Sequence, residues 1–212
     1  HWTFDGPNMN WSSTTAEVLD RTSNANHGNL VNSGATAAAS GKIGQSMSFD
    51  GVNDYVNAGN GSSSNITGNL TVSAWIKPQV GSGSQHIISK FAGGPACQYL
   101  LTTDSTGTLV YFYTGNGNTG NRAAGNILVN QWSHIVGIWD GIDTKIYING
   151  SFIGNASSPL APNLSGTNLY FGMDAGSASP YNGALDDVRI YNRAFSATEV
   201  TRLYRLGIGS KI

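Results

Sequence analysis

The feature that most constrains the fold is a series of short segments in which apolar and polar residues alternate, separated by turns rich in glycine and asparagine. This two-residue periodicity is typical of β-strands with one buried face. Because no helical segments separate them, a parallel α/β sheet is excluded. The sequence predicts an all-β fold, a two-sheet antiparallel jelly-roll sandwich. The predicted strands are HWTF, SMSFD, YVNAG, LTVSAWIKP, HIISKF, QYLLTTD, LVYFYTG, WSHIVGIWD, TKIYING, SFIGNA, LYFGM and ALDDVRIYN.

Helical periodicity occurs only near the end of the chain. Ser196 and Glu199 have the spacing of a capping box, and Gly207 is a stop signal, so we expect one short C-terminal helix between them. The apolar face of this helix is formed by Val200, Leu203 and Leu206.

Periodicity leaves the register of the central strands open. In LTVSAWIKP, the inward set is either Val72, Ala74 and Ile76, or the opposite set that includes Trp75. In WSHIVGIWD, it is either His134, Val136 and Ile138, or Ile135 and Trp139.

Composition narrows the possible functions. A chain of 212 residues fits one domain over residues 1–212, and its opening HWTFDG suggests a domain excised from a larger secreted protein. Only 11% of residues are charged and the net charge is -1, so the basic surface that nucleic acid or an anionic membrane requires is missing. No apolar run is long enough for membrane insertion. Cys97, the single cysteine, is interpreted as a structural thiol.

Two adjacent aspartates interrupt the last predicted strand. Alternation places Asp186 on the same face as Val188 and Ile190, and turns Asp187 outward with Arg189. A carboxylate on a buried face needs hydrogen bonds or a cation, because burying it alone is costly. We therefore expect a specific partner for Asp186.

Seven segments follow one another along nearly the whole chain: FDG, DRTSNANHGNL, SFDGVNDYV, LTVSAWIKP, IISK, QWSHIVGIWDGIDTKIYING and GALDDVRIYNRAFSATEV. Together they resemble the laminin-G-like jelly-roll domains of the concanavalin A-like lectin and glucanase superfamily. The resemblance implies a secreted or cell-surface module, often attached to polysaccharide-degrading enzymes or adhesins and frequently holding one calcium ion. Function varies widely within this fold, so these remain expectations.

The resemblance also implies that the first and last strands lie side by side. Calcium (Ca2+) prefers carboxylate, amide and carbonyl oxygens, which the loop DRTSNANHG supplies. The alternative is that these residues close Asx turns and that Asp186 accepts backbone amides or pairs with an arginine. The predicted calcium ligands are Asp5, Asp20, Ser23, Asn26 and Asp186.

Catalysis is not expected. Glycoside hydrolysis requires two carboxyl groups that flank one bond, but Glu199 belongs to the capping box and Glu17 to a loop. Alternation sends Asp186 and Asp187 to opposite faces, and QHIISK departs from the Gln-x-His pattern that the resemblance associates with lyases.

Aromatic and polar residues in loops could contact a sugar, since sugars offer C–H faces for stacking and a rim of hydroxyls. We predict a non-catalytic, lectin-like module of a secreted bacterial protein that binds a polysaccharide or glycan. The alternatives are a structural or adhesive module and, third, a polysaccharide lyase or glycoside hydrolase. The predicted ligand-binding residues are Trp11, Tyr113, Asn116, Arg122 and Tyr181.

Overall fold

The computed structural model describes residues 1–32, 39–93, 97–115, 122–157, 160–176 and 179–209. One α-helix, α1, spans Ala197–Ile208, and single 3-10 turns lie at Gly6–Asn8 and Ser62–Ser64. The strands, numbered β1 to β14 in chain order, are Asn29–Val31, Ala39–Ser40, Gln45–Asp50, Tyr55–Asn57, Leu70–Pro78, Gln85–Phe91, Cys97–Thr103, Leu109–Thr114, Ala123–Asn126, Ser133–Trp139, Asp143–Ile148, Ser151–Ser157, Tyr170–Phe171 and Asn182–Tyr191.

The strands form two seven-stranded sheets, and every described strand pair is antiparallel. The order of the first sheet is β1-β4-β13-β6-β7-β8-β9, and that of the second is β12-β11-β10-β5-β14-β3-β2. The predicted jelly-roll sandwich is confirmed. The segment HWTF is not a regular strand, but Trp2 forms one antiparallel bridge with Val188, so the start of the chain does lie beside the last strand.

The main core lies between the sheets and resolves the register that the sequence left open. On β5, Val72, Ala74 and Ile76 are part of this core, and β10 contributes Ile135 and Trp139. The alternate residues of both strands therefore face away from the core. Both strands belong to the second sheet. On β10, the outward residues Val136 and Ile138 pack under helix α1 in a smaller cluster with Tyr147 and Val200.

The predicted capping box of α1 is confirmed, because Glu199 N donates to Ser196 Oγ and Ser196 N donates to Glu199 Oε2. The helix continues past Gly207 to Ile208. Gly207 lies against Trp75: a Cβ atom at this position would stand 2.5 Å from Trp75 Nε1. The glycine is thus a contact point between helix and sheet rather than a stop signal.

A β-bulge in β14 changes the expected alternation. Asp186 pairs with Trp75 and Arg189 with Ser73, and between them Asp187 adopts a φ of 49°. The extra residue lets both Leu185 and Val188 reach the core. The prediction that Asp186 shares the inward face of Val188 is wrong, because Asp186 lies on the face of its cross-strand neighbour Trp75.

Candidate functional site

A continuous row of side chains crosses the outer face of the first sheet, the face directed away from the main core. Cross-strand partners form the row in the order Asn57, Tyr170, Ser89, Leu100 and Tyr113. Partners of this kind project from the same side of a sheet. Their sequence neighbours point the other way, into the main core: Val56, Phe171, Ile88, Leu101 and Phe112.

Tyrosine rings occur at both ends of this row. At one end, the rings of Tyr55 and Tyr170 are 5.9 Å apart, and both are half-buried. At the other end, the rings of Tyr111 and Tyr113 are 6.3 Å apart. Tyr113 is buried in a small cluster with Cys97 and Leu100. Tyr55, Tyr170 and Tyr111 are half-buried, and each combines an apolar ring surface with a hydroxyl group, the kind of surface that stacks on a sugar while bonding to its hydroxyls.

Arg122 joins the tyrosines at the second end. Its guanidinium carbon lies 3.7 Å from the ring centre of Tyr111, and its Nη1 donates to the Tyr113 hydroxyl at 2.7 Å. Burial raises the pKa of Tyr113 above its ordinary value, although the arginine opposes this effect, so the phenol stays protonated. The structure thus brings together two of the predicted ligand-binding residues, with a cation and a neutral hydroxyl side by side.

Polar side chains on the same face include two buried atoms without a hydrogen-bond partner in the described part of the chain, Ser89 Oγ and His86 Nδ1. His86 Nδ1 lies 3.4 Å from a carboxylate oxygen of Asp174. An unpaired buried polar atom costs about 1–3 kcal/mol. The Asp174 carboxylate is the ion-pair partner of His86, and a water molecule would supply the missing partner of the fully buried Ser89 hydroxyl.

The remaining predicted ligand residues lie elsewhere. Trp11 is 53% exposed in the N-terminal loop. Tyr181 is fully buried: its ring packs 6.0 Å from that of Phe49, and its hydroxyl donates to the Ala184 carbonyl. The prediction for Tyr181 is wrong, because this side chain belongs to the main core. Asn116 lies outside the described residues.

The predicted calcium ligand Asp20 closes a loop. Its carboxylate accepts from the backbone N–H groups of Thr22 and Asn26, from the Thr22 hydroxyl and from the His1 nitrogen. Burial raises the pKa of Asp20, but these hydrogen bonds outweigh it and the pKa is lowered overall. A cavity of about 40 Å³ adjoins the carboxylate and is also lined by Asn24 and Ser63.

Asp5 and Asp186 lie against a different segment. Asp5 Oδ1 accepts from Gln45 N, and Asp186 Oδ2 accepts from Ile43 N, both at 2.8 Å. Burial and the neighbouring carboxylates of Asp187 and Asp5 raise the pKa of Asp186 to about 7. Ser23 is exposed. Four of the five predicted ligands thus hydrogen-bond in two separate places, Asp20 and Asn26 in the N-terminal loop and Asp5 and Asp186 against residues 43–45, so the structure does not gather them around one cation. No group of three His, Cys, Asp or Glu side chains suited to a metal occurs in residues 1–209 outside the gaps.

Comparison with known families agrees with this architecture. The laminin-G family model of the concanavalin A-like lectin/glucanases superfamily matches residues 50–201. The chain belongs to this superfamily. The matched region includes every strand that contributes a residue to the outer-face row.

One relative by sequence is a much longer protein. Adhesion G-protein coupled receptor V1 of Danio rerio is 28% identical over 150 residues, which are 66% of this chain and 2% of the receptor. The chain is therefore similar to only a small part of that protein.

Two solved structures share the fold of this chain. The binding domain of botulinum neurotoxin serotype G aligns with a TM-score of 0.69 at 16% identity, over 97% of this chain and half of that one. Domain 4 of AbnA, a GH43 extracellular arabinanase from Geobacillus stearothermophilus solved with arabinotriose, aligns with a TM-score of 0.60 at 23% identity, over 84% and 88% of the two chains.

Sequence reasoning missed Tyr55 and Tyr170 as members of the outer-face row. Each occupies an alternate, outward position in a predicted strand, YVNAG or LYFGM. That alternation was the available signal. Strand β13 pairs with β4 and β6, and this pairing brings the two rings together. Because it links residues more than 80 positions apart, no local sequence pattern predicts it.

Proposed function

We propose that the protein is a non-catalytic, lectin-like module that binds a polysaccharide or glycan on the outer face of the first sheet. The observation behind this proposal is the row that ends in Tyr55 and Tyr170 on one side and in Tyr111, Tyr113 and Arg122 on the other. Rings stack on the C–H faces of sugars, while hydroxyl, amide and guanidinium groups bond to their rims.

The roles of the carboxylates support a binding function over catalysis. Glu17 accepts from Leu30 N, and Glu199 caps helix α1. Asp186 and Asp187 belong to the second sheet, opposite the proposed sugar-binding face. A retaining hydrolase needs two carboxyl groups about 5 Å apart on either side of the substrate bond.

The relatives support an extracellular setting. One is an adhesion receptor, and another is a domain of an extracellular arabinanase in complex with arabinotriose. We propose that this chain is likewise part of a larger secreted or cell-surface protein, of bacterial origin. In the part of the chain that the structure describes, no helix has the length and hydropathy of a membrane span.

Affinity electrophoresis in gels that contain plant, algal or microbial polysaccharides tests the binding function. We expect at least one polysaccharide to retard the protein, and Tyr111→Ala and Tyr170→Ala each to weaken the retardation about tenfold. Phe152→Ala is the matched control, since Phe152 is 53% exposed but lies on the second sheet. Absence of retardation in every gel would favour a structural or adhesive module. New reducing ends or unsaturated uronates would instead indicate an enzyme.

We further propose a structural Ca2+ confined to the Asp20 loop. Asp20, Thr22, Asn24 and Asn26 line the small cavity there and carry the oxygen ligands that calcium prefers. The His1 ammonium, which donates to Asp20 Oδ1 at 2.9 Å, also lines this cavity. Asp5 and Asp186 are not part of this narrower site. The ion would add ligation to a loop that already holds its shape by hydrogen bonds.

A further inference from the structure

A second surface lies on the opposite side of the sandwich, where the end of β14 meets helix α1. Arg189 and Tyr191 pair with Ser73 and Thr71 of β5, on the face away from the main core. The groove between this strand end and the helix has a volume of about 270 Å³. Six of its residues matter here: Arg189, Tyr191, Arg193, Phe195, Glu199 and Arg202.

The apolar part of this groove is an aromatic pair. The rings of Tyr191 and Phe195 are 4.5 Å apart. The guanidinium carbon of Arg193 lies 4.2 Å from the ring centre of Phe195. Both aromatic residues are half-buried, so part of each ring remains open to a ligand.

The charges around the groove are unbalanced. Arg189 pairs with Asp187 at 3.0 Å, and Arg193 pairs with Glu199 at 2.6 Å. Arg202 lines the groove and is exposed, with neither an ion pair nor a hydrogen bond to any described residue.

Arg205, one turn further along the helix, is also exposed. It shares a neighbouring depression with Arg202, so the two guanidinium groups lie on one face of the helix. This region is positive although the whole chain has a net charge of -1.

We propose that the groove binds an anionic saccharide, in which the ring of a sugar stacks on Tyr191 and Phe195 and its carboxylate or sulfate pairs with Arg202. A guanidinium matches such oxyanions with two parallel hydrogen bonds. The size of the groove is near the lower end of small-molecule sites, which suits one or two sugar units. The inference rests on the proposed function for the class of ligand, but it concerns the opposite face of the molecule.

The test measures binding of oligogalacturonide and of dextran sulfate to the whole chain by isothermal calorimetry. Fully methyl-esterified oligogalacturonide and unsulfated dextran serve as neutral counterparts. The Arg202→Gln/Arg205→Gln variant removes two exposed charges and should retain the wild-type unfolding midpoint. The Lys77→Gln/Lys145→Gln variant removes the same charge from elsewhere on the second sheet.

We expect at least one anionic saccharide to bind, its neutral counterpart not to bind, and the arginine variant to lose at least about tenfold in affinity while the lysine variant stays within about twofold. Equal losses of affinity in the arginine and lysine variants would show that binding depends only on net charge, and would overturn the proposal. So would binding to vesicles of anionic phospholipid without binding to either saccharide, or no binding at all. Tyr170→Ala should leave this affinity unchanged, so failure of the first-sheet site is distinguishable from failure of the groove.

Discussion

The two sheets use their outer faces differently. On the second sheet, helix α1 packs over Val136 and Ile138, and Trp75 stacks 5.6 Å from Tyr204 of the helix. On the first sheet, no described helix covers the outer face. Tyr55 and Tyr170 remain half-buried there, while Ser89, Leu100 and Tyr113 are buried. Both sheets have one face in the shared core.

The difference follows from the residues that alternate with the core positions. Valine, isoleucine and tryptophan on the second sheet gain free energy only when they are removed from water, so that face requires a cover. Tyrosine, asparagine and arginine on the first sheet combine apolar surface with groups that water or a ligand can satisfy. The covered face of the second sheet therefore serves stability, and on the first sheet we propose that the half-buried ends of the row are the part used for binding.

Replacing Trp75 with alanine should have the largest effect and tests the stability side of this comparison. Trp75 is 2% exposed and contacts both His134 and Tyr204, so we expect the free energy of unfolding to fall by about 3–5 kcal/mol. Urea denaturation measures it. The matched change on the first sheet, Tyr170→Ala, should cost about 1 kcal/mol or less. Similar losses in the two variants would remove the distinction between the faces.

Two buried groups on the outer side of the second sheet predict a pH dependence: His134 lies beside Tyr204 of helix α1, and Asp186 lies against the segment of Ile43. Burial lowers the pKa of His134 from 6.5 to about 4, so the unfolded chain binds the extra proton and stability falls as pH decreases through this range. Asp186 has its pKa raised from 3.8 to about 7, so the folded chain binds the extra proton and stability falls as pH increases. Between about pH 4 and 6.5 the two slopes oppose each other.

The Asp186→Asn variant should therefore reveal the pH dependence of stability that His134 contributes. Relative to the wild type, this variant should lose up to about 1.4 kcal/mol per pH unit as the pH falls from 6.5 toward 4. Urea denaturation at half-unit steps measures the difference, and His134→Gln should show the opposite slope. Parallel curves for the wild type and both variants would contradict the assignment of these two groups.

Calcium should raise the free energy of unfolding by a smaller amount, through the Asp20 loop and not through either outer face. An ion at ten times its dissociation constant adds about 1.4 kcal/mol if it binds only the folded state. We expect millimolar calcium to raise the unfolding midpoint relative to chelator. Asp20→Ala should abolish the rise, and Asp5→Asn should retain it. An unchanged wild-type midpoint would exclude the proposed ion.

Most of the fold was predictable because alternation is a local property. It identified the long strands β5, β10 and β14, and the capping box located the helix. It failed at Asp186 because a bulge inserts a residue without changing the sequence pattern around it. It also missed β9, whose sequence AAGN lacks β-branched and aromatic residues.

The site was predictable only where its residues are close in sequence. Tyr113 and Arg122 were identified. Arg122 directly precedes β9, which pairs with β8, and it donates a hydrogen bond to Tyr113 of β8. Tyr170 reaches the row only through the long-range insertion of β13. Tyr181 was misplaced because proximity to a turn does not show whether a ring points outward or, as here, into the core.

The central claim is that sugar binds the outer face of the first sheet. Nuclear magnetic resonance titration with an oligosaccharide from the retarding polysaccharide tests it most directly. We predict shifts in the ring resonances of Tyr55, Tyr111 and Tyr170, with those of Trp75 and Tyr204 unchanged. Shifts confined to helix α1 or to the N-terminal loop around Trp11 would contradict the claim.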